Sequence, residues 1–338
     1  MATVRTNGSR VYTVSIVLLL LGIAVILISL NTGTIHISPV EVITTLFGYG
    51  SADQELVLFE YRMPRILITM LAGIGLGVSG AILQGLSRNA LADPGILGLH
   101  AGAAFGLIVF ISFFQSLEGP LSLFVPLFTF AGGVLTAAII VWLAYDRHEG
   151  ILPIRLILVG IAVAAGLSAI TLFLSLRLDE EIYNFAARWL VGSVWGRDWE
   201  HVYALLPWML IFLPYALVQS RSLDAFMLGD DVAASIGVPI QMRRLMLLAT
   251  AVAISSASVA MVGGIGFIGL AAPHLARRLV GSMHRDCIPV SGLIGLVILV
   301  AADTIGRTLF LPSSIPAGVI VAAVGAPYFL YLLVRTKT

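Results

Sequence analysis

Long apolar runs separated by short polar breaks fill this chain, and the run lengths predict its elements. A hydrocarbon core of about 30 Å needs about 20 apolar residues as helix. Ten such spans are expected: Val11 to Leu30, Met63 to Leu86, Pro94 to Phe114, Leu121 to Tyr145, Leu156 to Leu176, Val202 to Gln219, two within Leu245 to Leu275, Ile288 to Ala302, and Ile315 to Val334. The stretch from Leu245 to Leu275 holds 31 residues without Asp, Glu, Lys or Arg, too many for one crossing and suited to two if the chain turns at Gly263-Gly264. Pro312, Ser313 and Ser314 separate the last two spans. The first run follows Arg5 and Arg10; it is long for a signal peptide and no small-x-small cleavage site follows it, so it reads as an anchor helix.

The polar breaks carry their own signals. The segment 221–244, RSLDAFMLGDDVAASIGVPIQMRR, stands out as polar and helix-capable. Asp230 and Asp231 follow Gly229 and open a small-residue run that Gly237 and Pro239 close, which predicts a short helix with acid at its start and a glycine stop. Too short to span a bilayer, it is expected on the membrane surface where another protein can grip it; an ordinary interhelical loop is the competing reading. Ser38-Pro39-Val40-Glu41 reads as a capping box with proline at the first helical position, so a short surface helix begins there as a lid on the bundle. Between the fifth and sixth spans, Trp189, Trp195 and Trp199 with Arg188 and Arg197 suit a membrane interface, or a re-entrant segment lining the outer mouth. Glycines cluster inside spans (Gly73, Gly75, Gly77 and Gly80; Gly98, Gly102 and Gly106; Gly263, Gly264, Gly266 and Gly269), which predicts close helix packing. No inverted internal repeat is visible.

Composition fixes the class. Hydrophobic residues make up 59% of the 338 and charged residues 11%, with a mean hydropathy of +1.03, far from the quarter of charged residues in a soluble domain. The expected fold is all-α: a polytopic membrane protein in which residues 1–338 form one transmembrane domain. A net charge of +1 gives no case for nucleic acid. The single cysteine, Cys287, excludes an internal disulfide. The histidines, His36, His100, His148, His201, His274 and His284, are scattered singly, so no metal site is expected. The only lysine is Lys337, so no phosphate loop of the form GxxxxGK[ST] exists, and any ATP is used by another polypeptide. With ten spans, thirteen of the Lys and Arg residues fall on the side of the N-terminus and six (Arg62, Arg65, Arg177, Arg188, Arg197, Arg307) on the other. That asymmetry predicts both termini, and segment 221–244, in the cytoplasm.

Motifs along nearly the whole chain carry a resemblance. Arg62-Met63-Pro64-Arg65 is followed by Gly80-Ala81-Ile82-Leu83-Gln84, by RNALADPGILG at 88–98, and by LGDDVAASIG at 228–237. Then come Gly266-Phe267-Ile268-Gly269-Leu270 with Pro273-His274 and Arg277, His284-Arg285, Ala302-Asp303 with Arg307, Pro316-Ala317-Gly318, and Gly325-Ala326-Pro327. In these the sequence resembles the FecCD-type permeases, membrane subunits of ABC importers for ferric siderophores, haem and vitamin B12. It departs at Ala90 and Gly264, where the family usually has proline, and at Ser314, where an acidic residue is common.

The resemblance implies a vitamin B12 permease-like bundle of about ten transmembrane helices in a bacterial cell membrane. It implies pairing with a second permease subunit as a homodimer or heterodimer, cargo handed over by an extracytoplasmic binding protein, and drive from two cytoplasmic ATPase subunits that use ATP, with no cofactor in this chain. The ATPase-coupling residues are then Leu228, Gly229, Asp230, Asp231, Ala233, Ala234 and Gly237. Docking of the binding protein falls to Arg62, Arg65 and Arg307. Arg62 and Arg65, three apart on one helical face, suit bidentate capture of partner carboxylates if exposed. Snorkelling to lipid phosphate competes for both, and an internal pair with Asp303 competes for Arg307.

For the translocation path the candidates are Gly160, Gly166, Ser168 and Thr171, on or near one stripe of the fifth span, with Ser193 and Trp195 at the mouth. Packing for the glycines and back-bonding for the hydroxyls are the alternatives. The expected function is import of an iron complex, a ferric siderophore before haem or vitamin B12. An ion-coupled secondary transporter would need ionisable residues at mid-membrane, and an enzyme would need a nucleophile with a base or a metal cluster; neither is apparent.

Overall fold

A computed structural model describes residues 8–33, 37–114, 121–147, 150–309 and 314–335. Arg5, His36, His148, Pro312, Ser313 and Lys337 lie outside the described residues. Helix α1 (Gly8–Asn31) leads to a surface pair, α2 (Pro39–Leu46) and α3 (Ala52–Glu55), and a π-helical turn runs from α3 into α4 (Met63–Ser87). A 3-10 turn (Pro94–Leu97) precedes α5 (Leu99–Phe113), and α6 (Leu121–Ala144) ends in an antiparallel two-residue hairpin, β1 (Tyr145–Asp146) with β2 (Gly150–Ile151). There follow α7 (Pro153–Ser175), α8 (Glu180–Leu190), α9 (Trp199–Val218), α10 (Ser220–Met227), α11 (Asp230–Ser235), α12 (Ile240–Val262), α13 (Ile268–Val280), α14 (His284–Thr308) and α15 (Ala317–Arg335). The fold is an all-α bundle, as expected.

Every expected span corresponds to a helix. Seven are long and apolar enough to cross a membrane, namely α1, the continuous helix 52–87, α6, α7, α9, α12 and α14. The other three, α5, α13 and the described apolar part of α15, are shorter. The expected start at Pro94 is corrected. Asp93 caps a 3-10 turn there, accepting from the Gly95 N–H at 2.8 Å, and Gly98 takes a left-handed φ of 69°, so α5 begins only at Leu99. The turn at Gly263 is present, with φ 76°, and it separates α12 from α13.

Other boundaries moved outward. The second span begins not at Met63 but at Ala52, which places Arg62 and Arg65 inside a continuous helix. The ninth runs from His284 to Thr308 and so takes in Asp303 and Arg307. Polar residues extend these helices because each finds an internal partner, described below.

At the centre, α4 and α12 have 78% and 83% of their apolar windows buried and α14 has 67%, whereas α1 and α7 have 11% each. Glycine permits the central contact. A Cβ on Gly80 would overlap the Gly269 carbonyl of α13, and one on Gly73 would overlap the Gly295 carbonyl of α14. The expected capping box forms: the Ser38 N–H donates to Glu41 Oε2 at 2.7 Å and the Glu41 N–H to Ser38 Oγ at 3.3 Å. Val42 of α2 then packs with Ile37, Val57 and Leu58 in a small second core.

Candidate functional site

Segment 221–244 folds as two short helices and the start of α12. The acidic start and glycine stop of α11 are as expected: Gly229 (φ 107°) and Gly237 (φ 86°) bracket it, and Asp230 and Asp231 fill its first turn. Both glycines face open space, so their positive φ alone calls for glycine. Leu228, Asp231, Ala234 and Gly237 are exposed, and Ala233 is buried against the bundle. Leu228, Val232 and Ile236, four residues apart, form an exposed apolar ridge with 62%, 45% and 62% of their surface open.

Asp230 turns inward. Arg244, with 3% of its side chain exposed, donates through Nη2 to both Asp230 oxygens at 2.9 and 3.0 Å, and Arg88 donates to Oδ1 as well. Burial works against the Asp230 charge, but hydrogen bonds and charge from Arg244 and Arg88 outweigh it and hold the carboxyl below its ordinary range. Arg88 caps α4 with a left-handed φ of 50° and sends Nε to the Phe226 carbonyl of α10 at 2.7 Å. Arg244 also donates to the Ile151 carbonyl at 2.9 Å. Asp224 of α10 accepts from the His284 backbone N–H at 2.8 Å and lies 2.7 Å from His284 Nδ1, so it caps α14. Sequence reasoning missed Asp224, Arg88, Arg244 and His284. The Arg88 and Asp224 contacts join residues far apart in the chain, and Arg244 meets Asp230 across 14 residues, so no local spacing marks them.

At the opposite end of the bundle the expected open guanidiniums are corrected. Arg62 is 6% exposed and donates to the Leu30 carbonyl. Arg307 donates to the carbonyls of Thr32 (2.5 Å) and Ser29 and to Ser29 Oγ (2.6 Å). Arg65, 21% exposed, grips Asp303 with two nitrogens at 2.9 and 2.7 Å, and Arg307 Nε lies 3.7 Å from the same carboxylate. Carbonyls near the end of α1 have no partner within their own helix, and arginines supply donors and favourable charge there.

The path candidates do not share a stripe, which corrects that expectation. Gly160 and Thr171 point into the bundle, and the Gly160 carbonyl packs near Gly98. Gly166 and Ser168 are exposed on α7. Ser193 accepts from the Trp195 backbone N–H at 3.2 Å, and the Trp195 ring is 69% exposed. Of the other tryptophans, Trp189 is buried and Trp199 donates Nε1 to the Phe59 carbonyl at 2.9 Å. Among the described residues no three or more His, Cys, Asp or Glu gather as a metal site.

Comparison with known proteins gives this geometry a family. The model of the FecCD transport family matches residues 18–335. The chain belongs to the FecCD transport family. A Bacillus subtilis (strain 168) relative, iron(3+)-hydroxamate import system permease protein FhuG, is 44% identical over 337 residues, 98% of this chain and all of the relative. The Escherichia coli (strain K12) Fe(3+) dicitrate transport system permease protein FecD is 39% identical, covering 92% of this chain and 95% of its own. A solved inward-facing metal-chelate type ABC transporter is 29% identical and superposes with a TM-score of 0.82 over 96% of this chain and 99% of that one. As a FecCD family member, the chain is a membrane-embedded permease of a transport family.

Proposed function

We propose that this chain is the permease subunit of an ABC importer that carries a ferric siderophore or related ferric chelate across a bacterial cell membrane. Residues 1–338 act as one transmembrane domain with both termini in the cytoplasm. A second permease subunit completes the pathway, an extracytoplasmic binding protein delivers the cargo, and two cytoplasmic ATPase subunits use the ATP. The relatives' names support an iron cargo, since they agree on Fe(3+) or siderophore transport while differing in the chelator, hydroxamate in one and citrate in others. The binding protein then sets the choice of chelate.

The observation that carries the proposal is the exposed apolar group of Leu228, Val232 and Ile236 on and beside α11, a short helix anchored to the bundle. An exposed apolar group on a short surface helix suits insertion into a groove on a partner protein. Leu228, Gly229, Asp231, Ala234 and Gly237 make up the gripped surface, while Ala233 and Asp230 hold it from behind. At the other end, Arg65 and Arg307 share the carboxylate of Asp303 and Arg62 donates to the Leu30 carbonyl, and the excess of arginine at this end favours docking of an acidic surface even though the guanidiniums are engaged. Gly160, Gly166, Ser168, Thr171, Ser193 and Trp195 are proposed near the path, the exposed members on its wall and the buried ones in packing behind it. Cargo passes by alternation between two packings, without covalent chemistry in this chain.

The test is uptake of iron-55 chelates, ferric hydroxamates and ferric citrate, into proteoliposomes holding the permease pair and ATPases, with binding protein outside and ATP inside. Uptake requiring both ATP and the binding protein is expected. Uptake driven by a proton or sodium gradient without nucleotide would mark the chain as a secondary transporter instead.

A further inference from the structure

The contacts of α10 and α11 with the bundle are selective. Asp224 caps α14 through the His284 N–H, Arg88 at the end of α4 holds the Phe226 carbonyl and Asp230, and Arg244 of α12 holds Asp230 by both oxygens. The helices so engaged, α4, α12 and α14, are the deeply buried ones. On the other side of Arg244 the packing opens. A small apolar cleft of about 30 Å³ lies between the clamp and the start of α7, lined in part by Ala92, Asp93, Ile151, Pro153, Leu156 and Arg244. Toward α7, Arg244 contributes one hydrogen bond, to the Ile151 carbonyl.

We infer that Asp224 and Arg88 are positioning residues that fasten the α10–α11 unit to α4 and α14, so that a push on α11 moves α4, α12 and α14 as one body past α7. The inference rests on the proposed drive by partner ATPases and adds where their force enters. A densely packed core transmits displacement with little compression, and α7, with only 11% of its apolar window buried, is not locked into that core. Loss of either fastening leaves Arg244 with more of the hold on α11 and loosens its coupling to the core, so more nucleotide is hydrolysed for each cargo moved.

The experiment measures cargo imported per ATP hydrolysed in proteoliposomes holding the complete transporter, with ferric hydroxamate on its binding protein as the probe. Asp224→Ala and Arg88→Met each remove hydrogen bonds that involve a charged group, and each is expected to lower the ratio about tenfold. Asp224→Asn keeps an oxygen for the His284 N–H and is expected to stay within about twofold of the unaltered protein. A purely structural role would lower uptake and hydrolysis together by reducing folded transporter, leaving the ratio unchanged. The Arg88 side chain is 36% exposed and is expected to tolerate replacement better than a buried one, so Arg88→Met carries the test alone if Asp224→Ala does not assemble. An unchanged ratio overturns the inference, whereas uptake that needs no nucleotide overturns the ABC reading itself.

Discussion

Asp303, 3% exposed near the end of α14, is the counter-charge for Arg65 and Arg307, and its burial makes its replacement costly. Taking charges out of water is repaid only where geometry is good, and Arg65 supplies a two-nitrogen grip. Removing one partner strands the other, so Asp303→Asn is expected to destabilise the subunit by about 3 kcal/mol. The double variant Asp303→Asn with Arg65→Gln should recover part of that loss, because the stranded guanidinium is gone as well. Thermal unfolding of the detergent-purified subunit decides it: additive losses in the double variant would show that the two side chains do not act as a pair. Arg62 and Arg307 make the same point from the acceptor side. The Arg307–Asp303 pair was among the readings the sequence offered, but both arginines also donate to main-chain carbonyls of Ser29, Leu30 and Thr32, groups that every residue carries, so nothing in the residue types announced those contacts.

Among elements, α11 separates an outward and an inward face within six residues. Val232, with Ile236 just past its end, points out, Ala233 points in, and Asp230, still 41% exposed, is tied to Arg244 of the bundle. Val232→Glu with Ile236→Glu is expected to abolish co-purification with the ATPase subunits while shifting the unfolding temperature of the isolated permease by only a degree or so, since exposed positions rarely matter to stability. Intact co-purification would remove the ridge from the contact. This helix was legible in the sequence because its signals are local: acid after glycine at the start, glycine and proline at the end. The capping box at Ser38 and Glu41 and the break at Gly263 were legible for the same reason. Hidden from view was the direction in which Asp230 faces, which depends on Arg88 at a separation of 142 residues, and the helix α10 with its Asp224, whose partner lies 60 residues on. Boundaries failed where charged residues continue a helix under cover of such partners, as Asp303 and Arg307 do in α14. The single-stripe expectation for α7 failed because helical periodicity turns Gly166 and Ser168 away from the face shared by Gly160 and Thr171.

For the molecule as a whole, contacts between helix ends show which elements lie together at one end of the bundle. Arg10 near the start of α1 donates to the Arg278 carbonyl near the end of α13, and Asp224 of α10 reaches the start of α14. The start of α1, the end of α13, α10 and the start of α14 therefore share an end, even though α13, at 13 residues, is shorter than the roughly 20 a crossing requires. Most of the Lys and Arg residues lie at that end, and the bias in membrane proteins puts such an end inside. Cysteine labelling reads this directly. Native Cys287 is 1% exposed, so the unaltered protein should resist a membrane-impermeant maleimide. Ala234→Cys in α11 is expected to label in inverted membrane vesicles and not in intact spheroplasts, and Phe47→Cys, at a position 77% exposed beside α2, should show the opposite pattern. Labelling of Ala234→Cys from outside would place α11 beyond the reach of any cytosolic ATPase, and the same result would reassign the arginine-poor end, with Arg65 and Asp303, to the cytosol.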